Sequence, residues 1–234
     1  MSWVQEELGS IELGDKRREK RLIEVVERLA SQPQASIPSA AQGWAETKAA
    51  YRLMEHPALD WRAVLEKHAG RTQERILQYK PKVVLCIQDT TELDFSSQPG
   101  RAGLGRLNYE ARRGMYVHPT VVTPEGLGLG VIDAWRWARQ AKGEAEFKES
   151  IRWIEGDDRV AEMAGQVADS RLVYLADREG DFRELFDRGH ELGYGADILV
   201  RAMHKRKTAD GGKLWEKVEN SQALGDIELV LPAD

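Results

Sequence analysis

Apolar and polar positions divide the chain into a helical first third and a strand-rich remainder. From about Lys16 to Ser31, Leu22, Val25, Val26 and Leu29 recur at helical spacing, with Arg17, Arg21, Glu24 and Arg28 on the opposite face. Asp15 stands where an N-cap would accept from the first free amides. Ser36-Ile37-Pro38-Ser39 breaks the pattern. A second helix is expected over about 46–55, with Ala49, Ala50 and Leu53 inward. A third opens at Pro57 and Asp60 and runs from about Trp61 to Tyr79, with Trp61, Val64, Leu65, His68 and Ile76 on its mixed face.

After Pro81 the period changes. Val83 to Ile87 is an unbroken apolar run, which predicts a central strand covered on both faces. It ends in Gln88-Asp89-Thr90-Thr91, and Glu92 and Asp94 continue it. The Gly- and Arg-rich stretch 101–114 is too polar for core and reads as a mobile loop. Tyr116 to Val122 predicts a second strand, Pro124-Glu125-Gly126 a turn, and Leu127 to Trp135 a third strand. A polar connection leads to a helical pattern over about 145–168, with a break expected at Gly156-Asp157-Asp158. Leu172 to Ala176 is a second apolar run that delivers an acid, Asp177. A short helix around Phe182, Leu185 and Phe186 follows, then a strand over 196–201. Ile227 to Leu231 reads as a last strand without a visible partner.

Composition narrows the classes. The 234 residues are 41% hydrophobic and 31% charged, enough for one large domain or a domain with a smaller companion. No apolar run reaches the roughly 18 residues a membrane span needs, and no signal peptide precedes Trp3. The single cysteine, Cys86, lies inside the first strand, where it reads as a buried, inert thiol suited to a reducing cytoplasm. The net charge of -5 means that binding to nucleic acid must rest on local basic patches. His68 has no second His or Cys at ligand spacing and reads as a structural histidine.

The candidate chemistry lies at the strand ends. A parallel return of the second acidic strand beside the first, through the helix at 145–168, follows the right-handed crossover rule. It would set Asp89 beside Asp177. At ~5 Å two carboxylates repel by about 3 kcal/mol at an effective dielectric of ~20. A shared proton or a divalent cation relieves this, and hard oxygen ligands suit Mg or Mn. A two-metal site of this kind activates water and stabilises a leaving phosphodiester oxygen. The plainer role for each acid is that of a turn or cap residue after a strand. On the first helix, Lys16, Arg17 and Arg18 crowd the end whose dipole favours acids. A docked phosphate would turn that cost into a gain, while the plainer reading is a solvated charged face.

These stretches resemble the DDE cut-and-paste transposases of the bacterial IS-four class, to which the transposon-five transposase belongs. Leu13-Gly14-Asp15-Lys16-Arg17-Arg18 and Glu46-Thr47-Lys48-Ala49-Ala50-Tyr51-Arg52 are similar to the class's end-recognition module. Asp89-Thr90-Thr91, Arg113 to His118, and Asp177-Arg178-Glu179 are similar to its catalytic core, as are Val200-Arg201 and His204. The resemblance implies an α/β fold: a ribonuclease-H-like mixed sheet, with a three-strand meander and then parallel strands with helices. A helical module over 1–80 would bind double-stranded DNA at transposon ends, ahead of an incomplete catalytic domain over 81–234. Asp89 and Asp177 would be catalytic metal ligands for Mg or Mn. Arg17, Arg18, Arg21 and Arg201 would bind DNA. The class has a third carboxylate in a later Tyr-x-x-Arg-x-x-x-Glu signature, which this sequence does not contain, and its homodimerisation region is not present either. The expectation is therefore a truncated transposase, weak in metal affinity and inactive alone. A non-catalytic DNA-binding relic or regulator of transposition is the alternative. A two-acid nuclease drawing a third ligand from Glu92, Asp94, Glu179 or Asp181 is a weaker one.

Overall fold

The computed structural model describes residues 2–98, 100–109, 111–140, 148–226 and 228. The chain opens with five helices: α1 (Trp3–Leu8), α2 (Lys16–Ser31), α3 (Ile37–Ala40), α4 (Trp44–Met54) and α5 (Trp61–Tyr79). Side-chain caps start four of them where short polar residues precede the apolar period, and α4 starts at Gly43 without one. Ser2 accepts from the Gln5 amide, Asp15 from Arg17, Ser36 from Ser39 and Asp60 from Arg62. Val4, Leu8, Ile11, Leu13, Leu22, Val25, Ala50 and Leu53 form the core of this bundle.

Helix α5 belongs to two cores. Val64, in its first half, packs on the bundle, while Ala69 and Ile76 lie in the core beneath the sheet. A buried polar cluster locks the junction. The Glu7 carboxylate accepts from Arg75 at 2.7 and 3.0 Å and pairs with His68 Nδ1. The same guanidinium donates from Nε to the Leu129 carbonyl at 2.7 Å. His68 Nε2 accepts the Val131 amide at 2.9 Å. That bond needs a lone pair on Nε2, so the proton sits on Nδ1 and His68 is the structural residue expected.

The sheet comprises β1 (Val83–Gln88), β2 (Thr91–Asp94), β3 (Gly105–Arg106), β4 (Arg113–Thr123), β5 (Gly130–Trp137), β6 (Arg171–Ala176) and β7 (Asp197–Val200). Its spatial order is β2-β4-β1-β6-β7, with β3 and β5 also paired to β4. The β1, β4 and β5 strands are antiparallel, while β1, β6 and β7 run parallel. The return from β5 to β6 passes through α6 (Ile151–Ala164). Helices α7 (Arg183–Glu191) and α8 (Leu214–Glu219) come after β6 and β7 respectively.

Several expectations are corrected. β1 is covered on one face only: Val84, Cys86 and Gln88 are buried, but Val83 and Ile87 are 43% and 39% exposed. The cause is that α5, α6 and α7 contribute to one and the same core. Among the described residues, the alternate positions of β1 have no comparable layer over them. Helix α6 does not break at Gly156. That glycine admits the buried Gln88 amide, which a Cβ there would strike. Leu127 is exposed in the turn, and the third strand begins at Gly130. Part of the 101–114 stretch is ordered by pairing: Leu107 is 1% exposed, and Gly105-Arg106 bridges Gly114-Arg113. The expected strand at 227–231 lies outside the described residues, apart from Glu228. Among the described residues no helix is long and apolar enough to cross a membrane.

Candidate active site and nucleic-acid interface

The register of the parallel pair aligns the two acids. Val83 faces Arg171 and Ile87 faces Leu175. Continuing that register past the strand ends sets Asp89 level with Asp177. Both are exposed, and both line one cleft with Thr90, Glu92, Arg139 and Glu179. The cleft holds about 110 Å³, room for several waters. Each acid also serves its own turn. Asp89 accepts the Thr90 amide at 2.8 Å, and Asp177 accepts the Glu179 amide at 2.8 Å, capping the single 3-10 turn Arg178–Gly180. The cap role and a place in the cleft are therefore compatible.

Electrostatics in the cleft are congested. Burial pushes the Glu179 carboxyl up, and repulsion from Asp177, Asp89 and Glu149 adds to this, against a counter-pull from Arg139. Arg139 is clamped by Glu149 at 2.7 and 2.9 Å, donates to Asn108 and to the Tyr116 hydroxyl, and lies over the Tyr116 ring. His118 forms part of the cleft's inner wall. It is 1% exposed and sits edge-on to Trp153 at 4.4 Å. Burial, with Arg152 nearby, pushes its pKa down to about 4, so it is neutral. Its Nδ1 lies 2.8 Å from Thr90 Oγ1. Thr90 thus links β4 to the Asp89 turn.

The donors suit a hard divalent cation: two exposed carboxylates on rigid strand ends, with a third acid in the same cleft whose like-charge crowding a cation would relieve. Among the described residues, no set of three or more His, Cys, Asp or Glu side chains is arranged to hold a metal. The fit is that of a two-carboxylate site. Asp181 takes no part. It is buried, accepts from the Met203 amide at 2.7 Å and pairs with Arg206 at 3.2 Å.

The four candidate arginines fare differently. Arg17 is exposed on α2. Arg21 is partly covered and pairs with Glu24 at 2.9 Å. Arg18 is structural, holding the Leu13 carbonyl and lying 3.1 Å from His56 Nε2. The Arg201 amide donates to the Ala176 carbonyl at 3.1 Å, next to Asp177, and its side chain is exposed. None of the four lines the cleft.

Sequence reasoning marked Lys48, Tyr51 and Arg52 by resemblance alone and missed the face of α4 that they share with Trp44. Trp44 is 73% exposed, with Lys48 over its ring at 5.6 Å, and Tyr51 and Arg52 are exposed about two turns on. Positions i, i+4, i+7 and i+8 share one side of a helix, so aromatic and basic groups form a single stripe. The available signal was a tryptophan placed opposite Ala50 and Leu53, on the side a bundle helix gives to water.

Residues 1–59 match the family model described as Transposase DNA-binding. Among solved structures, the chain is similar at 10% identity to a piggyBac transposase in a synaptic complex with hairpin DNA. That alignment has a TM-score of 0.43 and covers 95% of this chain and 51% of that one. It is also similar at 14% identity to a chain of a pre-cleavage Mos1 transpososome, with a TM-score of 0.27 over 88% of this chain and 66% of that one. The chain thus spans about half the length of the piggyBac protein.

Proposed function

We propose that this chain is the DNA-binding and partial catalytic portion of a DDE transposase of the IS-four class. Its helical N-terminal module would bind double-stranded DNA at transposon ends, and Asp89 and Asp177 would be two of the catalytic acids on a ribonuclease-H-like sheet. The observation that carries the reading is the match of residues 1–59 to transposase DNA-binding domains. The level placement of Asp89 and Asp177 behind that module supports it. Phosphates would meet Arg17 and Arg21 on α2, and the Trp44–Arg52 stripe would face the duplex.

Mg or Mn, when bound, supplies Lewis-acid stabilisation of a phosphodiester in this chemistry. Asp89 and Asp177 would hold it. Thr90 keeps the Asp89 turn in place through its amide, and neutral His118 backs Thr90 without adding positive charge near the acids. Arg139, fixed by Glu149, balances part of the acidic charge. Two carboxylates hold a divalent ion more weakly than three, so strand cleavage by this chain alone is expected to be negligible.

The test is fluorescence anisotropy with the duplex of a terminal inverted repeat identified in the DNA around the gene. Specific binding should survive Asp89→Asn. It should weaken about tenfold with Arg17→Gln/Arg21→Gln, since a phosphate contact gives affinity without sequence information. Equal, weak binding to any duplex, insensitive to these arginines, would sink the reading. The alternative, a non-catalytic DNA binder that regulates transposition, is favoured by the lack of a three-ligand cluster among the described residues. Metal binding at the acid pair separates the two.

A further inference from the structure

We infer that the arginine-rich hairpin between β2 and β4 is a second DNA-contact surface, which tracks the phosphate backbone of the duplex at the mouth of the carboxylate cleft. The inference rests on the transposase reading and deepens it. Between residues 95 and 113 the sequence has four arginines, Arg101, Arg106, Arg112 and Arg113, against one acid, Glu110, in a chain whose net charge is -5. A basic concentration of this kind in an acidic protein marks a local anion-binding surface.

The described residues of the segment are held in shape by their own contacts. Leu107 is buried and its amide donates to the Arg112 carbonyl at 3.0 Å. β3 pairs with the start of β4, where Gly114 packs so closely on the Leu93 carbonyl that a Cβ would collide with it. The Arg113 amide donates to Ser96 Oγ, and its guanidinium donates to the Leu104 carbonyl. Arg101 lies over Phe95 at 5.0 Å and Arg112 over Tyr109 at 5.1 Å. These stacks orient guanidinium planes, and Arg112 also meets the Asp94 carboxylate at 3.7 Å in an exposed pair that solvent screens. All four arginines are exposed, and Tyr109 is 67% exposed.

Continuity with the site decides what the surface is for. Asn108, within this hairpin, lines the same cleft as Asp89 and Asp177, and its Oδ1 accepts from Arg139 at 2.7 Å. A groove lined by Gly103, Arg106, Asn108, Arg113 and Arg139 shares Asn108 and Arg139 with that cleft. A strand whose phosphate reached the acids would therefore carry its neighbouring phosphates along the hairpin. Forked guanidinium groups recognise phosphate oxygens in two-point contacts. The N-terminal module would fix which duplex is bound, and the hairpin would hold it near the acids.

The experiment compares the unaltered chain with Arg101→Gln/Arg106→Gln/Arg112→Gln on the inverted-repeat duplex across a salt series. Each lost phosphate contact lowers the slope of log affinity against log salt by about 0.9. The triple variant should therefore lose between about 2 and 3 from the slope and bind at least about tenfold more weakly at moderate salt. An unchanged slope with intact duplex binding overturns this inference and leaves the parent reading standing. Absence of specific duplex binding in the unaltered chain overturns both. If the triple variant melts early by circular dichroism, Arg101→Gln alone decides, with an expected slope change of about 0.9.

Discussion

Glu7 shows how much one side chain far from the chemistry can hold. Burial alone would push its carboxyl up, but Arg75 and His68 outweigh that and hold it below its ordinary value of 4.5. A carboxyl lowered in the folded state binds its proton less readily there than in the unfolded chain. Its contribution to stability is complete above about pH 4.5 and disappears as pH falls through the lowered folded value. Glu7→Gln should cost about 1.5–3 kcal/mol at pH 7, the range for hydrogen bonds to charged groups. The gap between variant and unaltered chain should narrow at pH 3. Urea midpoints at the two pH values check this, and a gap independent of pH would remove the ionised Glu7–Arg75 pair from the account. The Glu7–Arg75 pair was not legible in the sequence. Glu7 and Arg75 are 68 residues apart, and His68 was recognisable as structural only because it lacked ligand-spaced partners.

At the scale of elements, helical periodicity and capping residues carried real information. Asp15 and Asp60 cap α2 and α5 where expected, and both helices span the predicted residues. Strand prediction placed β1, β4, β6 and β7 and their directions, began β5 three residues early, and was wrong for the cover of β1. An apolar run such as Val83 to Ile87 fixes a strand, yet which alternate positions a layer covers depends on where α5, α6 and α7 settle. Gly156 misled because glycine weakens helices in isolation, by about 1 kcal/mol relative to alanine. In α6 it serves close packing instead. Two effects therefore compete in Gly156→Ala. Helix propensity favours alanine by about 1 kcal/mol. The clash with Gln88, which is buried and lies 2.5 Å from the Tyr174 hydroxyl, costs about 1–3 kcal/mol as overpacking. The clash should win and lower the melting temperature. A raised melting temperature would mean that Gln88 moves aside freely.

For the whole molecule, the arrangement that matters is a helical bundle joined through α5 to a one-sided sheet, with acids gathered at the ends of β1 and β6. The pairing of Asp89 with Asp177 was legible because two apolar runs of similar length each end in an acid, and a helical crossover separates them. The arginines were only half legible. Charge alone marked Arg17, Arg18 and Arg21 equally, while burial and partners make Arg18 structural. The α4 stripe and the basic hairpin needed three dimensions, because each gathers groups that a linear scan assigns to a bundle helix or to a loop.

The central claim is that Asp89 and Asp177 act as one divalent-cation site on a DNA-bound chain. The most direct measurement is a Mn titration followed by electron paramagnetic resonance, with the inverted-repeat duplex present. The account predicts one class of bound Mn that weakens at least about tenfold in either Asp89→Asn or Asp177→Asn, since each variant removes a charged oxygen ligand. Duplex affinity should stay unchanged in both. Mn binding that persists in both variants, or that depends on one acid and not the other, would contradict the paired site.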